Sequence, residues 1–216
     1  MSKLPSWWFI AQGMAVTLQY TIFSVFGGLV IGISLAVALT GQWAAAKRCA
    51  NIYISIFRGT PLLVQLLLVY YTTPVLVGYQ ISAFTSGVLA FSLNSGAYVA
   101  EVIRAGIQAV DRGQFEAAIA LGIPRSLMMR SIILPQAVRN ILPALVNEMI
   151  NMLKESAIIS VIGEADLMRR AQIVAAEQYR YFEPLMVAAI CYYGLVVMLT
   201  ALATGLERYL GRHDSR

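Results

Sequence analysis

The chain has 216 residues, 59% of them apolar and only 12% charged, with a positive mean hydropathy. A soluble domain carries about 25% charged residues, so an ordinary globular protein is excluded and the solvent for most of this chain is lipid. The formal net charge is +5, and its meaning depends on where the cations fall.

No charged residue lies between Lys3 and Lys47, between Arg58 and Glu101, or between Glu183 and Glu207. Each interval exceeds the roughly 20 residues a spanning helix needs. The first opens on Pro5-Ser6-Trp7-Trp8-Phe9, tryptophans suited to the headgroup level, with Trp43 at the far side, so one long tilted span is expected at about 12–40. Gly27, Gly28 and Gly32 within it let a neighbouring helix approach closely. No small-residue cleavage site follows a short apolar core, so the segment is expected to be retained. Lys47, Arg48 and Arg58 bound a stretch read as loop, and 62–78 is the second span, bent or ended by Thr72-Thr73-Pro74. Gly78-Tyr79-Gln80 and Thr85-Ser86-Gly87 mark a turn before a third span at about 86–106. A fourth runs from Pro135 to about Leu153 and a fifth over about 184–206. Between them, Gly163-Glu164-Ala165-Asp166-Leu167 reads as a turn into an extracytoplasmic helix at 169–181, a solvated face with charge pairs or a dock for an outside partner.

The expected fold is therefore all-α and integral to a membrane, one permease-sized domain over 1–216 with about five transmembrane helices. With the N-terminus outside, eleven of the sixteen lysines and arginines fall in 41–59, 104–139 and 207–216. The positive-inside rule then places those regions and the C-terminus in the cytoplasm. This asymmetry, with anionic lipid, accounts for the net charge; nothing calls for nucleic acid.

Polar residues inside spans are expensive and usually face a bundle interior or a cavity. In the third span Asn94, Tyr98, Glu101 and Gln108 share a helix face; in the fourth, Asn140, Asn147, Asn151 and Glu155 do, with Glu148 and Lys154 at the edge. Facing each other, such stripes line a hydrated site in which Glu101 or Glu148 holds an amino or guanidinium group and Lys154 or Arg104 a carboxylate. The plainer alternative is that the asparagines join helices and that Glu101 pairs with Arg104 one turn on.

The connection at 107–134 is the working loop. Asp111 followed by Gln114 reads as an N-cap with a variant capping box, and Glu116 adds negative charge near the helix start. Phe115, Ala118, Ile119 and Gly122 share one face, Gly122 is a natural stop, Pro124 opens a second short helix and Pro135 another. The product is an apolar stripe small enough for a partner's groove.

The spacing Glu116-Ala117-Ala118-x3-Gly122-x9-Ile132-x-Leu134-Pro135 resembles, without a gap, the EAA loop of the membrane subunits of bacterial ATP-binding-cassette importers. Arg58-Gly59-Thr60-Pro61, Asn94-Ser95-Gly96-Ala97-Tyr98 with Glu101, and Lys154-Glu155-Ser156-Ala157 resemble the branch that carries polar amino acids. The resemblance implies a multi-pass protein of the bacterial cytoplasmic membrane and a second permease subunit, identical or related. It also implies two cytoplasmic ATPase subunits that hold ATP and magnesium, and an extracytoplasmic solute-binding protein. Phe115, Glu116, Ala117, Ala118, Ile119 and Gly122 would then seat in the ATPase, while Asn94, Tyr98, Glu101, Asn147, Glu148, Asn151, Lys154 and Glu155 are candidates to line the substrate path.

The chain is not expected to be an enzyme. His213 is the sole histidine, Cys49 and Cys191 are far apart, and no Gly-x4-Gly-Lys-Ser/Thr phosphate loop occurs, so no cofactor or metal is expected here. An ion-coupled carrier or channel using Glu101, Glu148 and Lys154 is the alternative, and a non-transporting assembly protein a third reading.

Overall fold

The computed structural model describes residues 6–211, with side chains through 205; Lys3, Pro5 and His213 lie outside the described residues. Every regular element among the described residues is helical. Helix α1 (Ser6–Ala11) continues almost directly into α2 (Gly13–Thr40), followed by α3 (Ala44–Gly59), α4 (Leu62–Val77) and α5 (Ala83–Gln108). Short helices α6 (Arg112–Ala120) and α7 (Arg125–Met128) lead through a π-helical turn (Met129–Ile133) into α8 (Leu134–Glu155). A 3-10 segment (Ser156–Ile162), α9 (Leu167–Gln178) and α10 (Phe182–Gly211) complete the order.

Among the described residues two helices are long and apolar enough to cross a membrane, Ser6–Thr40 and Phe182–Gly205, and the pair α3 plus α4, bent by 105°, makes a third when taken as one span. Helices α5 (26 residues) and α8 (22 residues) cover the ranges expected for the third and fourth spans, but neither is among those candidate crossings. The polar and charged residues of their stripes lower their mean hydropathy. The stretch read as a loop is the helix α3: Ala44, Ala45 and Ala46 are strong helix formers, and Ala50 and Ile54, one turn apart, are its buried face. Lys47 and Arg48, taken as loop markers, are exposed near its start, while Arg58, four residues beyond Ile54, is turned toward α5. The break beyond it is local chemistry. Thr60 precedes a proline, which pushes it out of the helical region, and both Thr60 (φ −123°, ψ 145°) and Pro61 (φ −64°, ψ 136°) are extended. Gly78 ends α4 at φ 77° after Pro74. Thr85, Ser86 and Gly87, read as turn, lie inside α5, whose start is capped by Ser82 Oγ accepting from the Thr85 amide at 3.0 Å.

The core is built on the contact of α2 with α5. A β-carbon on Gly28 would stand 2.7 Å from Ser95 Cβ and one on Gly32 2.6 Å from Val99 Cβ, while Gly96 opposes Ile31. The glycines admit the neighbouring backbone as expected. At one end of this seam Tyr20 is fully buried, its hydroxyl donating to the Ala83 and Phe84 carbonyls at 2.9 Å each. Leu66, Ala90, Phe91, Met152 and Ile159 close around it. At the other end Val110, Ala118, Met128, Ile133, Ala137 and Ile141 form a second cluster beneath α6.

Candidate functional site

The elbow between α3 and α4 presents its backbone to the polar face of α5. Gln65, almost fully buried, spans the break: its Nε2 donates to the Phe57 carbonyl (2.9 Å), the Thr60 carbonyl (3.1 Å) and Thr60 Oγ1 (2.8 Å). Asn94 Nδ2 donates to Gln65 Oε1 at 3.0 Å and to the Phe57 carbonyl at 3.2 Å. Asn94, a candidate path residue, thus holds the elbow together and satisfies the helix-end carbonyls that the break exposes.

Below Asn94 the same face carries ionic chemistry. Arg104 Nη2 donates to Glu101 Oε2 at 2.6 Å and its Nε to both carboxylate oxygens at 3.2 Å. Arg58 reaches the same carboxylate at 3.6 Å and lies 5.4 Å over the Tyr98 ring. Arg104 Nη1 also donates to Gln108 Oε1 at 2.9 Å. Glu101 therefore pairs one turn on within its own helix. Two guanidiniums against one carboxylate leave an excess positive charge, and the Arg58 side chain stays 44% exposed. Arg58 and Gln65 are site-building residues that the periodicity of α5 cannot show, because they come from another element. The signal available was a cation followed by Gly59, Thr60 and Pro61 between apolar runs.

Among the described residues, no hydrogen bond or ion pair joins the polar stripe of α8 to this constellation. Asn140, Asn147, Asn151, Lys154 and Glu155 are exposed and Glu148 is half-buried, while Ala137, Ile141, Met152 and Leu153 form the buried face of the helix. Asn140 Nδ2 donates to the Gly106 carbonyl at 3.4 Å.

The connection between α5 and α8 begins as its sequence suggests. Asp111 caps α6, Oδ1 accepting from the Gly113 amide at 2.7 Å. Gln114 does not return to the helix start; its Oε1 accepts from Gln136 at 3.4 Å. Gly122 ends the helix at φ 68°, with its amide donating to the Ile119 carbonyl and the Ile123 amide to the Ala118 carbonyl. Pro124 is the residue before α7 rather than its first, and the chain then stays helical to Glu155 through the π turn. The expected single face divides. Ala118 is buried and Phe115 half-buried on the cluster below, while Ile119 (68% exposed) turns outward with Glu116, Ala117 and Leu121 (77%).

At the opposite end α9 is packed, not a solvated face: Leu167, Ala171 and Val174 are buried with Ile10 and Ala188. Asp166, fully buried, caps α9 through the Met168 and Arg169 amides (3.2 and 2.8 Å) and accepts from Tyr192 Oη at 3.2 Å. Arg170 donates to the Phe9 carbonyl and to Gln12. Burial pushes the Asp166 carboxyl up to about 6 in spite of its donors, and raises Glu164 as well.

Comparison with known proteins places this geometry. Residues 28–212 match the family described as binding-protein-dependent transport system inner membrane component. The chain is 48% identical over 213 residues to the arginine transport system permease protein of Bacillus subtilis, covering 99% of this chain and 97% of that one. It is 56% identical over 204 residues, 94% of each chain, to a Rickettsia felis permease assigned provisionally to glutamine transport. A chain of the crystal structure of an amino acid ABC transporter with histidines superposes with a TM-score of 0.88 at 49% identity, covering 93% of this chain and 94% of that one.

Proposed function

The chain belongs to the family of binding-protein-dependent transport system inner membrane components, and from that membership we propose the part each feature plays. It is the permease subunit of an amino acid ABC importer in the inner membrane, a family that works with an ATPase and a substrate-binding protein. Five helices span the bilayer with the N-terminus outside, α5 and α8 turning their polar stripes away from lipid. Two permease subunits, identical or related, stand on two ATPase subunits that hold ATP and magnesium. The outward residues Glu116, Ala117, Ile119 and Leu121 seat in an ATPase groove, while Phe115 and Ala118 tie that helix to the bundle and Gly122 sets its end. ATP biases the inward- and outward-open states only by its different affinity for them, and α6 carries that difference into the membrane.

The cargo is a polar amino acid. Broken helices lining a cavity are a recurrent way of building a transporter site, and the observation that carries this reading is Arg58, a guanidinium at the break, stacked on Tyr98 and only partly neutralised by Glu101. It suits the α-carboxylate of the substrate, which a planar guanidinium binds with two parallel hydrogen bonds. Asn147, Glu148, Asn151, Lys154 and Glu155 of α8, from this chain or its neighbour, address the amino group and side chain. An ion-coupled carrier is not favoured, because Glu101 is already paired and the relatives are ABC components. The test is ATP hydrolysis by the reconstituted complex with its binding protein across a panel of amino acids. Stimulation by some of them supports the reading; association with no ATPase would overturn it.

A further inference from the structure

We infer that the end of the bundle nearest α6 holds an anionic phospholipid, its phosphate on Lys47 and Arg125 and an acyl chain in the groove between α2, α5 and α8. The groove has a volume of about 690 Å3 and is walled by Leu29, Ile33 and Val37 of α2, Ile107 of α5, and Val138 and Leu142 of α8. That falls within the roughly 300–1,000 Å3 of small-ligand sites. Among the described residues its only charged lining residues are Lys47 and Arg125; both are exposed, and neither forms an ion pair. An apolar trough with two unneutralised cations at its rim complements a lipid with a negative headgroup, and neither part suits a zwitterion as well.

Two features favour lipid over a second protein chain. Ile33 and Val37 are more than half exposed and continue the apolar ridge of Ile22, Phe26 and Val30 along α2, so the groove opens on the side that meets the bilayer. On α8, Asn147, assigned to the substrate path, lies nine residues from Val138, about 180° around the helix at 3.6 residues per turn. The polar face assigned to the substrate path is thus opposite the groove. The leaflet, though not the site, rests on the reading that α6 faces the cytoplasm.

The test is native mass spectrometry of the intact permease–ATPase complex, delipidated in detergent and titrated with phosphatidylglycerol or phosphatidylcholine of identical chains. Each cation at an anionic headgroup is worth about fivefold, so phosphatidylglycerol is expected to bind about twenty-five-fold tighter. The preference should fall to a few-fold in the double variant Lys47→Gln, Arg125→Gln, and Val138→Trp, which fills the trough, should weaken both lipids. Equal binding of the two lipids by the wild type, or a preference that survives the double variant, overturns the site. So does a Val138→Cys thiol shielded from maleimide equally in lipid-free and lipid-saturated complex, which would place protein over the groove. Loss of the ATPase in spectra that keep the preference supports the lipid site while overturning the coupling assigned to α6.

Discussion

If Arg58 receives the substrate carboxylate, replacing it with glutamine removes one charge-assisted interaction and leaves the elbow's own hydrogen bonds intact, since those run through Gln65 and Asn94. A hydrogen bond to a charged group is worth about 1.5–3 kcal/mol. The Arg58 side chain is 44% exposed and shares Glu101 with Arg104, so solvent screening favours the lower part of that range. The expected result for Arg58→Gln is an amino acid affinity about 10- to 30-fold weaker, measured by equilibrium binding to the permease–ATPase complex without its binding protein. Arg58→Lys should fall between, keeping the charge but losing the planar fork and much of the stack on Tyr98. Glu101→Gln separates this account from one in which the carboxylate holds the substrate's amino group: releasing two guanidiniums should preserve or strengthen binding, whereas loss of an amine ligand would weaken it. Unchanged affinity in Arg58→Gln, or a tenfold loss in Glu101→Gln, would refute the reasoning.

Gly32→Val drives a side chain into Val99 and should cost about 1–3 kcal/mol of overpacking, read as a lowered thermal midpoint in detergent; Gly59→Ala, with open space around it, is the control and should leave the midpoint unchanged. Gly122→Asp places an L side chain at φ 68°, about 1–2 kcal/mol of strain, and charge beside Leu121; co-purification of the ATPase should be abolished while the monodisperse permease persists. Asp166 has its folded value raised from 3.8 to about 6, so its contribution to stability is full below about pH 4 and is lost as pH rises through 6. Two units correspond to roughly 3 kcal/mol at most. Asp166→Asn, which still caps α9, should flatten the thermal midpoint between pH 4 and 7, Glu164 contributing what slope remains.

The long apolar helices and the α6 connection were legible because their signals are local: uncharged intervals, an aspartate before a helix, a glycine at its end. The Glu101–Arg104 pair was legible for the same reason, being one turn apart on one helix. Helix α3 was not, since only Ala50 and Ile54 of it are buried and its cations look like loop punctuation. Nor were Arg58 and Gln65 legible as partners of α5. Their meeting with Tyr98, Glu101 and Asn94 depends on the 105° bend, and a Thr-Pro break announces a turn without saying where it points. The division of α6 into Phe115 and Ala118 below and Ile119 above was hidden because these three positions, with Gly122, share an arc of about 100°, and only the depth of seating separates them.

The glycine seam between α2 and α5 behaves as a keyway. With Gly28 against Ser95, Gly32 against Val99 and Gly96 against Ile31, neither helix can slide or roll on the other without first lifting out of register, and close-packed surfaces resist such a path. The two therefore travel as one bar, with Tyr98, Glu101 and Arg104 bolted to it. Arg58 rides on α3, which is joined to the bar by Ile54 packed on Ala97 and Ala100, by Tyr53 Oη donating to the Leu93 carbonyl, and by the Gln65–Asn94 pair. Any movement of Arg58 relative to Glu101 has therefore to be taken up at the hydrogen bonds that join elbow and bar.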